Sequence, residues 1–414
     1  MTQAADVAED ASSEAAFRDA LAERLLADSM ITSPNAEAAF RTVPRALFTP
    51  PGTLFEVVYN ADDAVATKTD EYGVVISSVS APFIQAQMIE QAEIGPGMSV
   101  LEVGSGGYNA ALLAEVTGPD GLVVSMDIDQ DVTDRAMAAL AEAGYGERVR
   151  VVLGDAAHGV PDVAQFDRII VTVGAWDIAP NWLSQLTKDG RLVLPLRMNG
   201  VTRTIAFRWD GDHLVSTSAE TAGFVAMQGD GAHPEKVYLL PDGQGRAIKL
   251  RFDDGLLENP HALDGALGTE RKSVWSGVTI GRSESFATLH LWFASFLDGF
   301  CKLAIDPGIE MAEDGGGWFP FGVAHGDSFA YLVFRPAADN ADVEFGAFAY
   351  GAHAEEAGNA LVGQIQAWDR SARRGPAPTF AVWPIGTDLA QLPEDSAVIT
   401  KEHNLITISW PEAS

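Results

Sequence analysis

Apolar residues near the start of the chain recur at helical spacing, with polar residues between them. This pattern predicts a helix from Glu14 onward. Residues 1–13 lack the pattern and are expected to be a disordered lead. The apolar face of the predicted helix comprises Phe17, Leu21, Leu25 and Leu26. A second short helix is predicted over residues 35–42.

Farther along, short β-branched runs alternate with stretches suited to helices. Five of these runs are predicted strands: 100–103, 121–127, 149–155, 167–173 and 190–196. Strands that alternate with helices are typical of a parallel sheet with crossover helices. Residues 14–240 are therefore predicted to form one α/β domain with a Rossmann-like, doubly wound sheet.

A glycine turn follows the first of these strands, and an apolar stretch suited to a helix follows the turn. The turn consists of Gly104, Ser105, Gly106 and Gly107. A backbone without Cβ atoms lets a ligand approach the main-chain N–H groups at the start of a helix. The same pattern is found in dinucleotide sites and in S-adenosylmethionine (SAM) sites, so alone it indicates only a cofactor site.

Three acidic residues lie at or near the carboxyl ends of successive strands: Glu102, Asp127 and Asp155. Open α/β sheets bind their ligands at that edge, although any one of these acids could instead cap the next helix. Asp127 lies about 20 residues past the glycines, where a carboxylate can accept hydrogen bonds from ribose hydroxyls. The turn lacks the full G-x-G-x-x-G pattern of a dinucleotide site, which favours SAM. The predicted SAM site comprises the turn, the three acids and Ala156.

Two loops supply candidates for a substrate site. After the fourth strand, Trp176 could wall a peptide site, and Asp177 could line the same edge or cap the following helix. His233 lies in a later polar loop, where a surface histidine is the alternative to a substrate contact.

The second half of the chain, residues 241–414, is predicted to be a separate α+β domain that recognises substrate. Its predicted strands are 247–252, 329–334, 343–350 and 379–384. Residues 355–370 have an amphipathic helical pattern, whereas 286–300 fit either a helix or a strand. The histidines of the chain are scattered without ligand spacing, so no metal site is expected.

Charge and composition narrow the functional classes. The net charge of −31 argues against nucleic-acid binding, which requires clustered Lys and Arg. Cys301 is the single cysteine, which excludes an intramolecular disulfide. No apolar run approaches the roughly 20 residues that cross a bilayer, and the acidic N-terminus lacks the pattern of a secretory signal. A cytoplasmic protein without membrane contacts is expected.

With these residues in place, the first half resembles the protein-L-isoaspartate O-methyltransferase family. The matching segments, in family order, are VPR at 43–45, FTP at 48–50, SAP at 80–82, VLEVGSG at 100–106, GD at 154–155 and GRLVLP at 190–195. The resemblance implies a class I SAM-dependent methyltransferase fold, with SAM as cofactor and S-adenosylhomocysteine as product. It implies that Asp127 and Asp155 bind ribose and adenine, and that Ser80 lies beside the methyl acceptor. Val79 is assigned to the substrate site together with Trp176, Asp177 and His233.

Departures from the family pattern point to a subtype. The glycine turn is one residue shorter than usual, Phe83 stands where a histidine often follows Ala-Pro, and the chain continues far beyond the family's usual end. This combination resembles the methyltransferases of lanthipeptide gene clusters, including the FxLD type. It implies methylation of an aspartate in a thioether-cyclised precursor peptide, leading through aspartimide to isoaspartate. The alternatives are a general isoaspartate repair methyltransferase and a non-catalytic binding protein with a SAM fold. The sequence predicts no oligomeric state.

Overall fold

The computed structural model describes residues 2–104, 106–254, 259–312, 315–337 and 342–411. Within these ranges the chain forms nine α-helices. They are α1 (Thr2–Ala27), α2 (Pro34–Thr42), α3 (Phe55–Val58), α4 (Pro82–Ala92), α5 (Tyr108–Thr117), α6 (Gln130–Glu142), α7 (Pro180–Gln185), α8 (Ala287–Phe296) and α9 (Ala354–Ser371). Helix α1 begins at Thr2 and not at Glu14, so most of the segment expected to be disordered is helical. Its alanine-rich sequence has high intrinsic helix propensity even without an apolar stripe.

The strands of the described chain fall into three sheets. They are β1 (Val65–Thr69), β2 (Val75–Val79), β3 (Ser99–Val103), β4 (Leu122–Asp127), β5 (Val149–Leu153), β6 (Phe166–Val171), β7 (Leu186–Met198), β8 (Val201–Asp210), β9 (His213–Thr221), β10 (Lys236–Pro241), β11 (Ala247–Phe252), β12 (Lys272–Gly281), β13 (Phe300–Ile305), β14 (Gly317–His325), β15 (Ser328–Pro336), β16 (Asp342–Gly351), β17 (Thr379–Pro384), β18 (Ala397–Thr400) and β19 (Asn404–Ser409). Strands β1 and β2 form a separate antiparallel pair.

The first large sheet has the order β18-β19-β17-β9-β8-β7-β6-β3-β4-β5. Strands β5, β4, β3, β6 and β7 are parallel, as the alternating pattern predicts. From β3 the chain first builds β4 and β5 on one side and then places β6 on the other. The strand order therefore reverses between β3 and β6, and ligands of open α/β sheets bind in the crevice beyond such a point.

The second large sheet is antiparallel and has the order β10-β11-β13-β14-β15-β16-β12. The predicted strands 247–252, 329–334 and 343–350 correspond to β11, β15 and β16, and the predicted helix 355–370 corresponds to α9. The ambiguous segment 286–300 contains α8 and the first residue of β13. The extra C-terminal part of the protein is thus rich in β-structure.

The boundary predicted at residue 240 does not separate the two sheets. Strands β17, β18 and β19 return to the first sheet, where β17 pairs with β9 in the register Ala381 with Val215. Without these strands β9 would be an exposed edge with unpaired backbone groups. The C-terminal residues therefore complete the sheet of the N-terminal half.

One hydrophobic core joins the two halves. It contains Phe207 of β8, Trp292 of α8, Leu361 and Trp368 of α9, and Ile406 of β19. Because these side chains pack together, the two large sheets form one continuous packed structure. In the part of the chain that the structure describes, no helix combines the length and apolar character needed to cross a membrane.

Candidate active site

A cavity near the strand-order reversal, here called the main cavity, has a volume of about 780 Å³. Gly104 and Gly106, which follow β3, line it together with Thr172 and Val173, which follow β6. The segment after β9 closes another side, through residues 221–225. The cavity therefore lies where the topology of the sheet predicts a ligand.

The glycine turn has the geometry that its sequence indicates. Gly104 has a φ of +97°, and a Cβ atom there would lie 2.6 Å from the Thr172 hydroxyl oxygen. That hydroxyl lies 2.9 Å from the carbonyl oxygen of Gly104, which fixes the turn against the end of β6. Gly107 has a φ of +84°, and a Cβ atom there would lie 2.9 Å from the ring of Phe48. Gly107 is buried and serves packing, in contrast to its predicted role in cofactor binding, and Ser105 lies outside the described residues.

Glu102 lies in the protein interior behind the site, so its predicted role as a cofactor ligand is wrong. Its side chain is fully buried, and its carboxylate accepts hydrogen bonds from the Asn109 amide, at 2.9 Å, and from the Ser125 hydroxyl. Burial raises the pKa of Glu102 to about 7, although these two donors oppose the rise. A carboxyl group without exposed surface cannot contact a ligand, so it acts by tying β3 to β4 and α5.

Asp127, at the end of β4, lines both the main cavity and a smaller adjoining cavity. One carboxylate oxygen accepts the backbone N–H of Asp129 at 2.9 Å. Around it, the adjoining cavity has apolar walls from Met126, Ile128 and Met227. A carboxylate next to apolar walls suits a nucleoside, whose ribose offers hydroxyl donors and whose base offers flat apolar faces.

Asp155 and Ala156 also line the adjoining cavity, where the sequence places the adenine group. The Asp155 carboxylate accepts the backbone N–H groups of Ala157, at 2.9 Å, and Asp230, at 2.7 Å. Asp155 therefore also caps the short 3-10 helix that follows it. The helix-capping role that the sequence left open for this acid is thus present in the structure. His158 brings its ring within 3.2 Å of Asp230. Asp155, His158 and Asp230 are close enough to hold a cation, but these contacts explain the cluster without one.

Ser80 lines the main cavity, as does Phe83, which directly follows Ala81-Pro82. Ser77 and Ser78 of β2 add further hydroxyl groups to the same wall. Val79 is only 2% exposed and packs in the core beneath, so its predicted contact with substrate is wrong.

A buried arginine, which the sequence reasoning used only as a family marker, holds the backbone at Ser80. Arg45 is fully buried and donates to the carbonyl oxygens of Val58, at 2.7 Å, and Ser80, at 2.9 Å. It also donates to the side-chain oxygen of Gln85 at 3.0 Å and lies over the ring of Tyr108. Burial lowers the pKa of Arg45 to about 10, which still leaves it cationic at neutral pH.

The other predicted substrate residues lie away from the main cavity. Trp176, Asp177 and His233 line a separate lateral cavity of about 470 Å³ beside residues 179–182. The Trp176 ring stacks on His233 at 3.7 Å, while the ammonium group of Lys401 lies over it at 4.4 Å. Both faces of the indole are therefore covered by the protein itself.

Asp177 makes contacts that neither sequence interpretation anticipated. Its carboxylate accepts the backbone N–H of His403 and the side-chain amide of Asn404, each at 2.7 Å. The residue at the cap position of α7 is Ala179, not Asp177. Asp177 thus connects the loop after β6 to the C-terminal hairpin, a contact that no local pattern indicates.

The parallel sheet, the glycine turn at the reversal and the carboxylate of Asp127 together define a class I SAM-dependent methyltransferase. More specifically, the family model described as protein-L-isoaspartate(D-aspartate) O-methyltransferase (PCMT) matches residues 16–231. The chain belongs to this family. The prediction of a methyltransferase with SAM as cofactor is therefore confirmed, and the matched segment ends before the second sheet begins.

Individual relatives agree with this membership. A protein-L-isoaspartate O-methyltransferase of Hyperthermus butylicus is 38% identical over 191 residues, which are 44% of this chain and 76% of the relative. The enzyme of the same description from Methanopyrus kandleri is 35% identical over 180 residues, covering 43% of this chain and 76% of the relative. A solved structure titled protein-L-isoaspartate O-methyltransferase has a TM-score of 0.48 and 24% identity, covering 61% of this chain and 92% of that chain.

Proposed function

We propose that the protein methylates the free carboxylate of an isoaspartyl residue in a protein or peptide. The observation that carries this proposal is the shared main cavity. The glycine turn and Asp127 form one side of it, and Ser80 forms another. A single cavity can therefore hold the methyl donor and a carboxylate acceptor next to each other.

We assign the cofactor to the side of the main cavity that meets the adjoining cavity. The Asp127 carboxylate can accept ribose hydroxyls, and Asp155 and Ala156 lie where the base would be held. Gly104 and Gly106 line the main cavity without a side chain, which lets the amino-acid part of SAM approach the main chain there. When bound, SAM supplies an electrophilic methyl group.

Transfer to a carboxylate requires alignment more than acid–base catalysis. A carboxyl group with an ordinary pKa of about 3.5 to 4 is already an anion at neutral pH. The Ser80 hydroxyl can donate to one oxygen of the acceptor, which leaves the other oxygen free to attack. Holding the reacting atoms at near-attack distance is a large part of catalysis for such reactions. The backbone position of Ser80 is in turn fixed by Arg45.

The test is a comparison of two peptides of identical composition, one with isoaspartate and one with aspartate at the same position. With SAM present, mass spectrometry should show one added methyl group on the isoaspartyl peptide and little on the aspartyl peptide. Loss of the ester under mild base would identify it as a carboxyl ester. Methylation of neither peptide by a protein that binds SAM would contradict the proposal.

A second candidate is the tailoring of a lanthipeptide precursor, favoured by the part of the chain beyond the family match. Residues 232–411 add the second sheet and border the methyltransferase half. In this case an aspartate side chain is the acceptor. The following backbone nitrogen, after losing its proton, attacks the ester and expels methanol to form an aspartimide, which water opens to isoaspartate. Methylation of a thioether-cyclised aspartyl precursor, with none of a linear isoaspartyl peptide, would favour this candidate over the first.

A further inference from the structure

A second cavity, here called the interface cleft, lies between the first sheet and the C-terminal part of the protein. Its volume is about 390 Å³. Its walls come from β8 and β9, from residues around the start of α8, and from residues 377–380. Thr221, the last residue of β9, lines both this cleft and the main cavity. The two cavities therefore share Thr221 as a wall residue.

The cleft contains a buried cation, Arg203. It is 7% exposed and pairs in register with Thr221 on the neighbouring strand. Residues paired directly across an antiparallel ladder project on the same face. Arg203 therefore faces the same side of the sheet as the residue that lines both cavities.

The hydrogen bonds of Arg203 leave part of its donor capacity unused. The guanidinium donates to the carbonyl oxygens of Thr202, at 2.9 Å, and Ala287, at 2.8 Å. A guanidinium has five N–H groups and no acceptor. Among the described residues, no carboxylate forms an ion pair with it, and the acid that acts on it electrostatically is the exposed Glu220. Burial lowers the pKa of Arg203 to about 10, so the group is charged at neutral pH.

Hydroxyl groups around Arg203 add donors. The Ser216 oxygen accepts the backbone N–H of Phe380 at 2.9 Å, and the Thr288 oxygen accepts the indole N–H of Trp368 at 3.0 Å. A hydroxyl that accepts one bond still has its own proton to donate. The wall of the cleft thus combines a buried guanidinium with hydroxyl donors, which is the chemistry that binds a carboxylate. The exposed Glu220 also lines the cleft and opposes this binding.

We propose that the interface cleft binds a second carboxylate of the acceptor peptide, distinct from the one that is methylated, with Arg203 as its counter-ion. The inference rests on the proposed function for the identity of the acceptor. The residues that line the main cavity include no lysine, arginine or histidine within the described chain, so they offer no cation to an acidic peptide. The protein carries a net charge of −31, which disfavours acidic peptides in general. Arg203 therefore gives one flanking position a selectivity for a negative charge.

The test uses isoaspartyl peptides in which glutamate replaces glutamine at each flanking position in turn. For the wild-type protein, glutamate should lower KM several-fold at one position only. Arg203→Met should abolish this difference between the paired peptides, and Arg203→Lys should retain part of it. Arg208→Met, at an exposed position on the same strand, is the control and should keep the full difference. Glu220→Gln removes a negative charge from an exposed position near Arg203. This variant should enlarge the difference in KM between the paired peptides.

The outcomes separate the subsite from the proposed function. Equal KM values for all peptide pairs with the wild-type protein would exclude the subsite while leaving the function intact. An equal rise in KM for both members of a pair in Arg203→Met would assign the residue a structural role only. If the wild-type protein methylates none of the peptides, the proposed function fails. Fluorescence anisotropy with the same peptides, labelled, then measures their binding affinity and tests the subsite without methyl transfer. Equal affinity for glutamate and glutamine peptides in that measurement would exclude it.

Discussion

Arg45 donates a hydrogen bond of 2.9 Å to the carbonyl oxygen of Ser80, a residue 35 positions away in the chain. The same guanidinium reaches Val58 and Gln85, and none of it is exposed. A buried guanidinium is planar and has its N–H donors in fixed directions, so it fixes the acceptors around it in both distance and direction. The position of the candidate catalytic hydroxyl therefore depends on a side chain from outside the cavity.

Arg45→Met should destabilise the protein and reduce methyl transfer. Each buried carbonyl left without its donor costs about 1–3 kcal/mol, so a loss of at least about 3 kcal/mol in the free energy of unfolding is expected. Chemical denaturation measures this loss. Arg45→Lys keeps the positive charge but lacks the planar set of N–H donors. Compared with Arg45→Met, it should restore only part of the stability and of the activity. Full activity in Arg45→Lys would show that charge alone suffices.

Ser80→Ala should lower kcat for the isoaspartyl peptide and leave SAM affinity close to wild type, because Ser80 lines the main cavity but not the adjoining cavity proposed for the nucleoside of SAM. Calorimetry with SAM and a methylation assay measure the two quantities separately. Ser78→Ala, at a residue that lines the main cavity but not the adjoining cavity, is the matched control and should have a smaller effect on kcat. Wild-type turnover in Ser80→Ala would remove this hydroxyl from the mechanism.

Asp127→Ala should weaken SAM binding by roughly ten-fold to several hundred-fold, since hydrogen bonds to a charged group contribute about 1.5–3 kcal/mol each. Asp127→Asn can still accept the Asp129 N–H bond and so preserves the local turn. It should show a smaller loss of affinity and near-normal stability. Unchanged SAM affinity in Asp127→Ala would show that the ribose assignment is wrong.

Much of the fold could be predicted from local patterns, because strand alternation and the glycine turn are encoded by neighbouring residues. The proposed roles of Ser80 and Asp127 depend on where a strand ends, which the sequence also indicates. By contrast, Glu102 lies near the end of a strand like Asp127 but is covered by Asn109 and Ser125, and burial of this kind depends on tertiary packing. The same holds for β17, whose partner β9 lies more than 150 residues earlier in the chain, and for β19 and β18, which join the sheet through β17.

Stability should depend on pH through Glu102. Burial raises its folded-state pKa from 4.5 to about 7. Between these values the unfolded chain releases the proton while the folded protein keeps it, so stability falls as pH rises through this window. A shift of this size corresponds to about 3 kcal/mol. Relative to Glu102→Gln, the wild-type protein should lose stability by about that amount from pH 4.5 to above pH 7. The control is Glu142→Gln, at an exposed position on α6, which should follow the wild-type pH profile.

The bond between Asp177 and Asn404 provides a test of how the C-terminal hairpin is held. Asn404 is buried, and its amide donates to the Asp177 carboxylate and to the carbonyl oxygen of Ile178, at 2.7 and 2.8 Å. Asn404→Ala should therefore cost about 1–3 kcal/mol of unfolding free energy, through the buried groups left without partners. Hydrogen exchange should accelerate in β19 and in the loop after β6.

A double-mutant cycle then separates this structural role from the substrate contact that the sequence predicts for Asp177. If the two side chains act through each other, Asp177→Ala and Asn404→Ala should have non-additive effects on stability, with a coupling of about 0.5–3 kcal/mol. If Asp177 instead contacts substrate, Asp177→Ala should raise the KM of the acceptor peptide, with additive effects on stability. The carboxylate accepts three hydrogen bonds from its own chain, including one from the Ile178 backbone. We therefore expect coupling in stability and an unchanged KM.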